Sequence, residues 1–213
     1  FESLLEWVAE GHSAGGILAG LRWQSPDQRA AEAIAESVDA HPERFAANDR
    51  AVAGLFAVDA GPAARAVETA GRVVPGRLDA AVDPLLERSD ATSYHQIRNL
   101  DATFGALGTL ARGQPAIARR LVERLSEQVG SRLGVTTRAC AAVATVAPER
   151  LLSATPAGGE RLRAGPLLRE QFRRQPKPGV TRALARLGRA EPSVVDPIVD
   201  GVVDALEEVR PNR

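Results

Sequence analysis

Thr181 to Pro192 reads TRALARLGRAEP, and four other stretches of the chain echo it. Thr137 to Pro148, TRACAAVATVAP, matches it in Thr, Arg, two alanines and the closing Pro without a gap. Gly105 to Pro115, GALGTLARGQP, and Gly16 to Pro26, GILAGLRWQSP, carry their Pro in the same register. Arg50 to Leu55, RAVAGL, repeats the first six positions and then drifts by two residues before Pro62. Each echo has apolar residues at helical spacing followed by a proline, which suits the first turn of a helix because its missing N–H would be unbonded there anyway. The pattern predicts an internal repeat of helix pairs, the second helix of each pair opened by the Pro.

The second helices agree. Ile117, Leu121 and Leu125 recur 77 residues later as Val194, Ile198 and Val202, the same offset that separates Gly105 from Arg182. A matching apolar stripe in both helices of a pair is what stacking of pairs requires. The stripe positions Leu21, Leu55, Leu107, Leu110, Val143, Leu184 and Leu187 are therefore expected to be buried.

Local signals place the elements between the echoes. Phe1 to Glu10 is an amphipathic opener, ended by Gly11 and His12, and Ser13 to Trp23 is the first repeat helix. Ser25-Pro26-Asp27-Gln28 marks a helix start with a capping box, and His41-Pro42 its stop. Asp49 is expected to cap a helix over 50–58, and Gly61-Pro62 to open the next, through Val67 to Val74.

The repeat interval is uneven. Ile17 to Ala51 is 34 residues, Ala51 to Ala106 is 55, Ala106 to Ala139 is 33 and Ala139 to Ala183 is 44. Helical solenoids have periods of about 33 to 47 residues. Two insertions follow, at about 76–96 and 155–179. The first is read as an extra helix at 78–88 with a polar loop at 89–95. The second is a Pro- and Gly-rich segment around one short helix, 167–174.

Composition bounds the rest. The chain has 213 residues, 44% of them hydrophobic, 4% aromatic and 25% charged, which suits a soluble protein of one large domain or two small ones. Small apolar side chains dominate and let helices approach closely. The formal net charge is zero, so no global field draws the chain to nucleic acid or to an acidic membrane. It starts at Phe1 without a single Met, as a fragment or a processed chain would. No apolar run reaches the roughly 20 residues that span a bilayer, and the N-terminus lacks the basic region of a secretory signal. The single Cys140 rules out an intrachain disulfide and is compatible with a reducing compartment, so the expected location is cytoplasmic.

These residues resemble the HEAT and armadillo type of α-solenoid. The resemblance rests on the paired-helix period, the Arg-Ala-x-Ala start at Arg50, Arg138 and Arg182, and the Pro that opens each second helix. It covers nearly the whole chain and implies one all-α domain, 1–213. That domain would be a right-handed superhelix of about five helix pairs, used as a scaffold that binds a partner along its concave surface.

Nothing in the sequence has the pattern of a catalytic or cofactor site. His12, His41 and His95 lie far apart without metal-ligand spacing, and Cys140 sits on an apolar stripe. Gly15-Gly16 and Gly158-Gly159 lack the strand–loop–helix setting of a phosphate loop. No nucleophile elbow occurs. The expected set is therefore no catalytic residue, no metal and no cofactor.

One asymmetry stands out. Residues 160–189 hold nine basic groups against Glu160 and Glu170, a net +7, and residues 190–213 hold six acids against two Arg, a net −4. The plain reading pairs Arg182, Arg186 and Arg189 with Asp200, Asp204, Glu207 and Glu208 on the following helix. The sharper reading makes Arg169, Arg173, Arg174 and Lys177 an anion- or partner-binding edge, with Arg169, Arg173 and Arg174, riding on the insertion, more exposed than Arg182 and Arg186. A non-enzymatic scaffold with a protein partner is the leading expectation. The alternative is a nucleic-acid-binding or DNA-repair protein similar to the helical-repeat alkylpurine DNA glycosylases. These set aromatic residues and an acid on a basic surface. Trp7 and Trp23 lie far in sequence from the basic block, and Asp101 is the best-placed acid, though helix capping explains it.

Overall fold

The computed structural model describes residues 5–6, 26–88, 100–129, 135–155 and 163–209. The described residues are all-α: twelve α-helices and two 3-10 turns between residues 26 and 209, with no strand among them. The chain clusters into two compact units, Phe1–Ile117 and Ala118–Arg213.

The first unit holds α1 (Pro26–Ser37), a 3-10 turn (Val38–Ala40), α2 (Pro42–Ala46), α3 (Asp49–Val58), α4 (Ala60–Val73), α5 (Asp79–Arg88) and α6 (Leu100–Leu110). α7 (Pro115–Gln128) begins at its end and runs across the boundary. Pro26, Pro115 and, in the second unit, Pro148 each begin a helix as the sequence predicts, and Pro42, read only as a stop, begins one as well. The cap of α3 differs by one residue from the expectation. Asn48, not Asp49, takes the N-cap, its side-chain oxygen accepting the Ala51 N–H at 3.0 Å. Asp49 falls in the first turn, where its charge complements the helix dipole. Asp59 caps α4 in the same way, accepting from Gly61 N–H at 2.9 Å.

α4 is the centre of this unit. Its buried residues are small (Gly61, Ala63, Ala64, Ala66, Ala70 and Gly71, with Pro62 and Val67 the larger ones), and it packs against α1, α2, α3 and most extensively α6. The approach to α6 is close because bulk is missing. A β-carbon on Gly71 would sit 3.0 Å from Leu110 Cδ2 and 3.2 Å from Thr109 Cγ2. The Thr109 hydroxyl is turned back to the Gly105 carbonyl at 2.9 Å, which leaves its methyl for that contact. An Arg65–Glu32 ion pair joins α4 to α1 at the surface. The extra helix expected in the first insertion is α5. It packs on α3 and α6, and Arg88 Nε donates to Thr103 Oγ1 at 3.0 Å. The polar loop expected at 89–95 and the helix expected over Ser13 to Trp23 lie outside the described residues; of the opener only residues 5–6 are described, helical and with Leu5 buried.

The second unit holds α8 (Val135–Val146), α9 (Pro148–Ser153), α10 (Ala164–Arg174), α11 (Pro178–Ala190), a second 3-10 turn (Pro192–Val194) and α12 (Asp196–Val209). α11 occupies the central place here, packing against α8, α9, α10 and the 3-10 turn. Gly179, Val180, Ala183, Leu184 and Leu187 form its buried stripe. Gly179 allows close contact with α8, since a β-carbon there would lie 3.1 Å from Arg138 Cγ and Thr137 Oγ1.

Every expected stripe residue that falls among the described ones is buried: Leu55, Leu107, Leu110, Val143, Leu184 and Leu187. Leu21 lies outside them. Two expectations need correction. Pro192 opens a three-residue 3-10 turn rather than a helix, and α12 starts only at Asp196-Pro197. That dipeptide is itself a strong start, an acid in the first turn followed by a residue with no N–H to satisfy. The apolar stripe expected on this last helix is also only partly covered. Val194 is buried, Ile198 is half-buried, and Val199 and Val202 are 54% and 53% exposed.

Candidate partner-binding surface

α10 carries the residues expected to meet an anion. Its first turn is anchored by Ala164, Gly165, Leu167 and Leu168, all buried, and Gln171 is buried one turn on. Gly165 faces Val194, whose Cγ1 would be 3.3 Å from a β-carbon placed there. That approach brings the 3-10 turn against α10 and puts the Val194 carbonyl within reach of Arg169, whose Nη1 donates to it at 2.8 Å. Arg169 is therefore half-buried and tied to backbone. Arg174 Nε donates to Glu170 Oε1 at 2.7 Å, an i,i+4 pair on the exposed side of the helix. Arg173 is exposed, and Lys177 is the half-buried N-cap residue of α11. The four side chains thus have different environments: Arg169 is bonded to backbone, Arg174 is ion-paired, Arg173 is exposed and Lys177 stands half-buried at a helix start.

Only Arg169 departs from the expected order of exposure, being half-buried while Arg182 and Arg186, like Arg173 and Arg174, are exposed. Thr181, Ala185 and Arg189 are exposed beside Arg182 and Arg186, because Val180, Ala183, Leu184 and Leu187 turn the other side of α11 inward. Arg182, Arg186 and Arg189 follow at i, i+4 and i+7, so they share one face. Among the described residues no ion pair joins them to Asp200, which is exposed. The side chains of Asp204, Glu207 and Glu208, the other expected partners, lie outside the described ones. A helical wheel of α11 held the signal for this face; ranking the arginines by insertion against repeat obscured it.

A second surface adjoins the first insertion-borne arginines. Phe172 and Arg173 from the end of α10, with Pro176 just after it, and Pro197, Ile198, Gly201 and Val202 of α12 line an open groove of about 400 Å³. Arg173 is the one charged residue among these seven; the others carry no polar side chain. Next to it on α12 lie the exposed Val199 and Val203.

Other candidates have ordinary settings. Cys140 is buried on α8, and burial pushes its thiol up from an ordinary 9.0 to about 12, the reverse of an activated nucleophile. Asp101 stands exposed in the first turn of α6, where a carboxylate favours the helix start. His41 breaks the chain between the first 3-10 turn and α2, and His12, His95, Trp7 and Trp23 lie outside the described residues. Among the described residues no group of His, Cys, Asp and Glu could hold a metal ion, and no helix is long and apolar enough to cross a membrane. No family model, no curated protein and no solved structure matches this chain.

Proposed function

We propose that this chain is a HEAT/armadillo-type helical-repeat scaffold, non-enzymatic and cytoplasmic, that binds another macromolecule, a protein in the first instance. In this reading the repeat runs through the sequence of both units as about five helix pairs of a right-handed solenoid. The registered burial of Leu107 and Leu110 in α6 with Leu184 and Leu187 in α11, 77 residues apart, supports that architecture. The observation that carries the binding role is the outer face of α11, where Arg182, Arg186 and Arg189 stand exposed in one row. Arginine rows of this kind suit carboxylate-rich partners, because each guanidinium offers a planar fork to an acidic side chain.

The test is capture of partners from native cell extract by the full chain and by an Arg182→Glu, Arg186→Glu, Arg189→Glu variant. The expected result is an acidic protein retained by the first and lost by the second. Retention by both, or turnover of a small substrate by the purified chain, would overturn the reading.

The same arginine row favours one second reading, a nucleic-acid-binding or DNA-repair protein similar to alkylpurine DNA glycosylases. It requires affinity for duplex DNA that falls with salt, with a log–log slope of roughly −0.9 per phosphate neutralised, hence near −3 for three arginines. Titration of labelled duplex against the chain at several salt concentrations decides it; absence of binding, or a flat salt response, removes it.

A further inference from the structure

We infer that α12 is a dimerisation helix, and that a second copy of this chain, in a parallel two-fold pair, covers its exposed valines. The inference is independent of what the arginine face of α11 binds. It starts from spacing. Along α12, Val199, Val202, Leu206 and Val209 succeed one another at intervals of 3, 4 and 3. That is the 3.5-residue period of a helix-pair seam. Ile198 and Val203 flank this line on its two sides and widen the apolar face.

Exposure singles out the same helix. Four large apolar side chains are exposed among the described residues, and three of them, Val199, Val202 and Val203, are on α12. The positions of α7 that match Val199 and Val202 at the 77-residue offset, Val122 and Leu125, are 0% and 1% exposed. The repeat thus supplies α12 with a stripe built for burial, and the described residues of this chain leave it uncovered. A contiguous apolar strip beside an apolar groove is the mark of an association surface.

Charge selects the occupant. With Val199 and Leu206 at the first core position of the heptad and Val202 and Val209 at the second, the acids Asp200, Asp204, Glu207 and Glu208 fall at positions away from the seam. Two copies can therefore meet without setting those carboxylates face to face. The two edges of the strip differ in sign. Arg173 stands at the groove edge, beside Ile198, and Asp196 and Asp200 follow the other edge, beyond Val203. In a parallel two-fold pair the groove edge of each helix meets the acidic edge of its partner; an antiparallel pair would oppose like with like. Self-complementarity of this type is what an isologous interface needs.

Sedimentation equilibrium of the full chain over about 1 to 100 μM reads the association directly. The expected result is a species of twice the 22.5 kDa chain mass that Val199→Glu with Val202→Glu converts to monomer. Both side chains are more than half exposed, so unchanged helix content by circular dichroism is expected of that variant. A wild-type chain that stays monomeric throughout overturns the inference, whatever other helix the face then accepts, and so does a dimer that survives the double substitution. Val199→Cys supplies an independent reading should the charged variant fail to fold. In a parallel pair the two thiols oppose each other, so mild oxidation is expected to give a disulfide-linked dimer, and its absence counts against the pair.

Discussion

Arg169 reaches 25 residues along the chain to donate a hydrogen bond to the Val194 carbonyl at 2.8 Å, joining α10 to the 3-10 turn that precedes α12. The bond ties this short helix to the turn that ends at Val194. A charged donor on a part-buried carbonyl contributes about 1.5–3 kcal/mol, more than a neutral bond does. Arg169→Ala is therefore expected to lower the urea midpoint clearly, while Arg173→Ala, on the exposed face of the same helix, stays within about 0.5 kcal/mol. Equal effects of the two substitutions would mean that the Arg169 contact adds nothing to stability.

Leu187 is fully buried on α11, the helix around which the second unit is built. Leu187→Ala should cost about 2–5 kcal/mol, the lost transfer energy plus the cavity left among α8, α9 and α10. Ala185→Ser on the opposite, exposed face should be nearly silent. Chemical denaturation of the two variants checks the phase of the helix as well as the magnitude.

Cys140 couples stability to alkaline pH. Its folded thiol is held near 12 by desolvation, while an unfolded thiol ionises around 9.0. Below 9 both states keep the proton and the group contributes no pH dependence. Above it the unfolded chain loses the proton and the folded chain does not, so stability falls as pH rises, at a slope approaching about 1.4 kcal/mol per unit. Cys140→Ala should remove that slope between pH 9 and 11 while lowering stability at pH 7 through the small cavity. A thiol reagent should also leave the folded chain unmodified and react once it is unfolded; rapid labelling of the native chain would contradict the burial.

The residues that were legible in the sequence are those whose signal is local. Leu107, Leu110, Leu184 and Leu187 declare a buried face by helical spacing, and Pro26 and Pro115 declare helix starts by lacking an N–H. Asn48 and Asp49 are adjacent residues with equivalent capping chemistry, so their order at the α3 start needed backbone geometry. Arg169 was misplaced among the exposed cations because its partner is a carbonyl far along the chain, which no charge count can show. The Val202 stripe was expected to be buried because the 77-residue offset copies a pattern from Leu125. An offset transfers side chains, not neighbours, and what covers Leu125 has no counterpart over Val202 among the described residues.

One substitution should act with opposite signs at two glycines. Neither Gly113 nor Gly201 has a φ in the left-handed region, so the backbone of each accepts alanine, and surrounding space decides the outcome. Gly113 lies in the turn after α6, where a β-carbon would come 2.7 Å from Gly76 N and 2.8 Å from the Pro75 carbonyl carbon. Both are backbone atoms that no rotamer change can move aside. Gly113→Ala must therefore push the 75–76 turn away from α6, at a cost of about 1–3 kcal/mol, as overpacking of a close contact does. Gly201, near the middle of α12, has nothing within 4 Å of a β-carbon. Alanine there removes the conformational freedom glycine keeps in the unfolded chain and should stabilise by about 0.5–1 kcal/mol. Thermal unfolding of the two single variants measures both signs at once. A stabilised Gly113→Ala would show that the turn at Pro75 and Gly76 gives way without cost, and a destabilised Gly201→Ala would place a neighbour where the folded chain leaves open space.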